Sequence, residues 1–184
     1  AGKDLPTPDT LRELLSYDPG TGLLMWHPRP IEMFPDERTF KGWNTKYAGK
    51  EALTAVNDQG YRGGRIFCVC HNAHRVAWAV YHGAWPAKQI DHINGNKADN
   101  RITNLRDVSP TENLRNTVTY STNTSGVCGV SWRKETCKWR AQITLRGKSC
   151  HLGYFADFDD AVAARKAAEV KYGFHPNHGR PALA

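Results

Sequence analysis

The chain has 184 residues, 40% of them hydrophobic and 23% charged, with a formal net charge of +7. This composition excludes a disordered tail and suffices for one ordinary domain or two small ones. No apolar run approaches the ~18 residues of a membrane span, the opening residues carry no signal-peptide pattern, and the basic balance points to a polyanionic partner.

In chain order, Leu5-Pro6-Thr7-Pro8-Asp9 starts a helix, with Asp9 as its expected N-cap and Leu11, Leu14 and Leu15 as its apolar face. Asp18-Pro19-Gly20-Thr21-Gly22 ends it with turn chemistry, and Leu23 to Trp26 reads as a strand. Pro28, Pro30 and Pro35 make the next stretch irregular, and Phe40, Trp43 and Tyr47 read as anchors for that loop, with no chemistry in them. Glu51 to Val69 reads as a strand pair around Asn57-Asp58-Gln59-Gly60. Arg62 and Arg65 lie on its second strand, as phosphate contacts or as a solvated face. Asn72 to Gly83 is a helix with Asn72 as N-cap, and Val76, Ala77, Val80 and Tyr81 share one face. His74 and His82 are expected on its surface or at the core edge.

The densest chemistry follows. Gln89-Ile90-Asp91-His92 is a short strand, Asn94-Gly95 a strong turn signal, and Leu105 to Val108 a returning strand. Ser109 N-caps a helix with Pro110 at its first position, running through Asn113 to Arg115. An Asp carboxylate and an Asn amide oxygen are hard ligands suited to Mg²⁺ or Mn²⁺, and the helix can bring Asn113 beside Asp91. Side chains alternate along a strand, so His92 faces away from Asp91 and is placed to activate a water.

Asp91-His92-Ile93-Asn94-Gly95-Asn96, with Asp99-Asn100-Arg101, Asn104-Leu105 and Asn113, resembles the HNH endonucleases of the ββα-metal fold, in particular their homing-endonuclease-like phage and bacterial branch. The resemblance extends from about His74 to Asn116. It implies a catalytic set of His92, Asp91, Asn104 and Asn113: His92 as general base, Asp91 and Asn113 as metal ligands, and Asn104 as the asparagine that braces the loop presenting the histidine. Asn100 takes a similar bracing part.

Thr117 to Ser125 reads as a polar linker. Three strands follow, Val127 to Arg133, Lys138 to Leu145 and Lys148 to Tyr154, and then a helix opened by Asp157, Asp159 and Asp160. Trp139, Ala141, Ile143 and Leu145 alternate with Lys138, Arg140, Gln142 and Thr144. Charge is uneven along the chain. Residues 1–86 hold 10 Lys/Arg against 9 Asp/Glu, whereas residues 117–184 hold 10 against 5. The excess lies on the strands, which leaves a basic sheet face opposite the helix, a shape that enters a major groove. Gly129-Val130-Ser131-Trp132, Lys138 to Ile143, Gly147-Lys148 and Leu152 to Phe155 resemble the DNA-binding domain of plant ethylene-response factors. That match places Arg133, Gln142 and Thr144 toward DNA. Lys138, Arg140 and Arg146 join them on charge and alternation.

The five cysteines are odd in number and irregular in spacing, which fits a reducing intracellular setting rather than a disulfide framework. Cys68, Cys70 and His71, or Cys128, Cys137, Cys150 and His151, are the available zinc sets. They lack the usual two-residue gap between thiolates, so no structural zinc is expected and the cysteines read as half-buried strand residues. The expectation is therefore an α+β protein: a mixed α/β region at 1–72 supporting the nuclease, an HNH core at 73–116, a linker at 117–125, and a three-stranded antiparallel sheet on one helix at 126–184. Its expected function is metal-dependent, homing-like cleavage of double-stranded DNA by a monomer or homodimer. The competing expectation is a DNA-binding regulator with an inert nuclease core.

Overall fold

The computed structural model describes residues 5–114, 116 and 123–179. The chain divides into two compact units, 1–107 and 108–184. Arg115 and most of the expected linker, 117–122, lie outside the described residues.

The first unit opens with α1 (Pro8–Leu14), β1 (Leu15–Tyr17) and β2 (Leu24–Trp26), the two strands forming an antiparallel hairpin. Two expectations shift here. Thr7, not Asp9, caps α1, because its hydroxyl accepts the Thr10 N–H and Pro8 takes the first helical position. Leu15 belongs to β1 rather than to the helix, and it stays buried because the strand turns the same side inward.

The stretch expected to be an irregular loop contains α2 (Glu37–Tyr47). Asp36 caps it, accepting the Thr39 N–H at 2.7 Å, and Phe40, Trp43 and Tyr47 recur at helical spacing behind three prolines. Next come β3 (Ala55–Val56), β4 (Arg62–Ile66) and β5 (Val69–Asn72), one antiparallel sheet in the order β3-β4-β5. α3 (Ala73–His82) follows directly and is capped by Gly83. Then β6 (Gln89–His92) pairs with β7 (Leu105–Val108).

One core joins these pieces. Leu11, Leu14, Leu15, Ile66 and Val76 are essentially inaccessible, and Ile90 of β6 and Leu105 of β7 belong to the same cluster. The strand that carries Asp91 and His92 is thus anchored by the residue just before them. The β1–β2 turn reaches the same region. The Tyr17 hydroxyl donates to the Asn100 carbonyl at 2.7 Å, and the Ile102 N–H donates to the Pro19 carbonyl at 3.3 Å. Gly22 (φ +78°) sits so close that a Cβ there would lie 2.5 Å from the Arg101 nitrogen. Only glycine satisfies both the left-handed backbone and that approach.

The second unit begins with α4 (Pro110–Leu114). Ser109 and Glu112 form a reciprocal cap, the Ser109 N–H and hydroxyl donating to the Glu112 carboxylate and the Glu112 N–H to the Ser109 hydroxyl. β8 (Val130–Arg133), β9 (Lys138–Leu145) and β10 (Lys148–Phe155) form the antiparallel sheet β10-β9-β8, and α5 (Phe158–Lys171) packs on it. Val130, Ala141 and Ala161 are its buried centre, and β10 carries a bulge around Leu152.

The face of α5 that buries Ala161 and Ala168 contains an ion pair as well. Arg165 is 3% exposed, donates to the Cys128 carbonyl at 2.9 Å, and lies 3.3 Å from the Glu169 carboxylate and 3.0 Å from His178 Nε2. A Cβ at Gly129 (φ +78°) would meet both the Gln142 carbonyl and this guanidinium, so glycine admits the arginine beneath the sheet. Cys68 and Cys137 sit in turns with positive φ rather than within strands, and all five cysteines are free. Among the described residues, no helix is long and apolar enough to cross a membrane.

Candidate active site

β6 turns two consecutive polar side chains into two different buried environments. Asp91 is 8% exposed and His92 is 3% exposed. Leaving either without partners would cost several kcal/mol, so the partners define the site.

Asp91 faces Arg106 on the neighbouring strand. Arg106 Nε and Nη2 donate to Asp91 Oδ2 at 2.8 and 2.6 Å. This charge-assisted pair takes up one oxygen of the carboxylate, and a carboxylate offers roughly four acceptor positions on its two oxygens. A carboxylate oxygen is the donor type a hard cation takes, so Asp91 suits such an ion by its chemistry, with the guanidinium beside it. Asn113, the other expected ligand, lies on α4 in the second unit, where its N–H donates to the Ser109 carbonyl at 2.9 Å.

His92 lies among rings. Its Nε2 is 3.2 Å from Asn100 Oδ1, His74 stands edge-on at 5.1 Å, and the Tyr61 ring is 5.8 Å away. Nε2 faces an amide oxygen, the position of an N–H donor in one tautomer of the ring. Burial lowers the His92 pKa below its ordinary value, opposed by the Asn100 hydrogen bond and by Asp91 and Asp99. The imidazole is neutral at pH 7, the form a general base needs.

The loop between the strands is held by its own asparagines. The Asn104 side chain spans it, its Oδ1 accepting the Asn94 N–H at 2.9 Å and its Nδ2 donating to the Asp99 carbonyl at 2.8 Å. The Ile93 N–H donates to the Asn104 carbonyl. Asn94 Nδ2 reaches Asp99 Oδ2 at 2.8 Å, and Arg101 clamps the same carboxylate at 2.8 and 2.6 Å. Arg101 in first place holds the Asp99 carboxyl down at about 2. Upstream, Asp107 accepts the Ala87 and Lys88 N–H groups while Arg75 donates to the Pro86 and Lys88 carbonyls, which fixes the approach to β6.

Four residues outside the expected set enter the site: Arg106, Tyr61, His74 and Lys97. Lys97 donates to the Gln59 carbonyl at 2.7 Å and lies over the Tyr61 ring, so the β3–β4 turn closes against the loop. Arg106 was legible in principle, since a basic residue on the returning strand opposite an acid is the pairing expected of an antiparallel ladder. Nothing local marks Tyr61.

His74 is buried, not on the helix surface. Burial first, then His92 and Arg75, push its pKa down to about 3, and its Nδ1 has no hydrogen-bond partner. It therefore binds its proton more weakly folded than unfolded. Its contribution to stability is complete above about pH 6.5 and is lost as pH falls toward 3. Between pH 7 and pH 5 the wild type should lose on the order of 2 kcal/mol more than His74→Gln, read from urea midpoints. Parallel pH profiles for the two proteins would show that His74 titrates normally.

On the second unit, Lys138, Arg140, Gln142 and Thr144 project from the side of β9 opposite Ala141 and Ile143, which are buried beneath the sheet. The register adds Arg133 opposite Lys138, with Ser149, His151 and Tyr154 opposite Thr144, Gln142 and Arg140. Arg146 occupies the β9–β10 turn with φ +50°.

Residues 71–115, the stretch that carries Asp91, His92 and Asn104, match the model of an HNH endonuclease family. Protein 3.8 of Escherichia phage T7 is 42% identical over 76 residues, a match that covers 41% of this chain and 63% of that protein, less than two thirds of its length. A solved structure titled "DNA binding and cleavage by the HNH homing endonuclease I-HmuI" aligns over 92% of each chain at 18% identity and a TM-score of 0.37.

Proposed function

We propose that this chain is a metal-dependent endonuclease that hydrolyses phosphodiester bonds in double-stranded DNA, site-specific and homing-like, acting inside a bacterial or phage-infected cell. The observation that carries the reading is the pair Asp91 and His92. They are adjacent and buried, Asp91 paired with Arg106 and His92 facing Asn100, inside an HNH endonuclease match.

In this reading His92 takes a proton from the attacking water. Asn100 keeps the ring from rotating, and Asn104 keeps the loop that surrounds it in one shape. Asp91 and Asn113 would hold Mg²⁺ or Mn²⁺, which when bound supplies stabilisation of charge on the phosphate and the leaving oxygen. Arg106 offsets the Asp91 charge in the buried site and adds positive potential where a phosphate must come. The sheet face carrying Arg133, Lys138, Arg140, Gln142 and Thr144, with Arg146 at its turn, would position the duplex, and its phosphate contacts make binding fall with salt.

The Arg106–Asp91 ion pair also suits the competing reading, a DNA-binding regulator with an inert core. A supercoiled plasmid separates the two. Relaxed or linear product is expected with Mg²⁺ or Mn²⁺ and none with EDTA. Intact plasmid in every divalent metal, from protein that still binds it, would leave the regulator.

A further inference from the structure

We propose that a cleft in the first unit, between α2 and the β4–β5 turn, seats one unpaired nucleotide of the DNA. This second contact rests on the nuclease reading above.

The cleft has a volume of about 670 Å³, and Arg29, Trp43, Tyr47, Leu53, Arg65 and Phe67 are among its lining residues. That is ample for one nucleotide. The Arg29 guanidinium is stacked 4.1 Å from the Trp43 ring and 4.9 Å from the Trp26 ring, and its buried Nε has no hydrogen-bond partner. Arg65 is exposed. Glu51, the acid in the lining, is neutralised by Arg62 at 2.6 Å. Aromatic faces beside exposed cationic charge are the two components that hold a base and its phosphate.

The backbone supplies an independent observation. Ile66 pairs with Val69, so Phe67 and Cys68 alone make the β4–β5 turn, with φ of +49° and +64°. Such a turn favours Asn-Gly, not a phenylalanine. Leu53, also in the lining, has φ +55°. Three residues in an unfavourable conformation thus border one cleft, and Phe67 is left 50% exposed. Strain retained with an exposed aromatic ring fits a surface shaped for a ligand better than one shaped for packing.

β4 connects this cleft with the candidate active site. It leads from Tyr61, beside His92, to Phe67, roughly 20 Å away at ~3.3 Å per residue, or about six base steps of duplex at 3.4 Å. A paired base shows a groove only its edge, so rings in a cleft capture a base only when it is out of its pair.

The test uses the full chain in EDTA and two labelled duplexes, one fully paired and one interrupted by a gap of five unpaired thymidines. Wild type should bind the gapped duplex about 5- to 150-fold tighter, the range that stacking one base on an aromatic ring supplies. Phe67→Asn puts a residue suited to the turn in place of the ring. It should raise stability, keep affinity for the paired duplex, and cut the gap preference to within about twofold. Phe67→Trp should restore the preference. Equal affinity of wild type for both duplexes, or an undiminished preference in Phe67→Asn, overturns the proposal. Plasmid cleavage without gap preference leaves the nuclease reading standing and removes the cleft. Gap preference without cleavage does the reverse.

Discussion

Replacing His92 with alanine should lower plasmid cleavage by about 10²- to 10⁴-fold, the range a positioned general base contributes, and leave duplex affinity within about twofold. The first half follows from the ring's surroundings. Nε2 is turned to Asn100, the neutral form is favoured by burial, and no other imidazole in the cluster is placed as well, since His74 is pushed to about 3 and packs edge-on behind it. The second half follows from His92 being 3% exposed, too enclosed to contribute a large contact area to DNA. The pH profile gives a separate readout. A base whose pKa lies below 6.5 is already deprotonated at pH 7, so the wild-type rate should be flat above neutrality and fall only as pH drops through that lowered value. A variant that loses binding and cleavage together would make His92 a structural residue, and full activity in His92→Ala would remove it from the chemistry.

Arg106→Met should cost about 2–4 kcal/mol of stability in metal-free buffer. Removing one partner of a buried ion pair strands the other, typically for ~3–5 kcal/mol. The Arg106 side chain is 28% exposed, so water can offset part of that for Asp91, whose side chain is 9% exposed. The same substitution removes the positive charge of the guanidinium from beside the carboxylate. Added Mg²⁺ should therefore raise the urea midpoint of Arg106→Met more than that of wild type. A loss below 1 kcal/mol would place the pair among solvent-screened surface bridges. An equal response of both proteins to Mg²⁺ would argue that Asp91 is not where the ion binds.

Much of the candidate site was legible because its signals are local. Asn94-Gly95, the Asn104 brace and the Ser109 cap act within about ten residues, and alternation along a four-residue strand is enough to send Asp91 and His92 to opposite sides. The polar face of β9 was legible for the same reason, since a period of two is written in the residues themselves. The helix α2 was not, because three prolines precede it and its aromatic stripe resembles a hydrophobic loop until Asp36 is seen accepting the Thr39 N–H. The cap at Thr7 was missed because two capping residues stand two apart and only geometry chooses between them.

What the sequence determined alone is the chemistry: a carboxylate beside an imidazole, a loop of asparagines that bonds to itself, and a basic sheet face. These depend on residue type and short-range spacing, which folding does not alter. What the tertiary structure decided is the environment of that chemistry. Tyr61, His74 and Tyr17 approach from positions 18 to 83 residues away in the chain, and Arg106 crosses from the facing strand. Their burial sets the charge states of His74 and His92 and supplies the countercharge of Asp91. Desolvation and ion pairing depend on which surfaces meet, and long-range packing alone determines that.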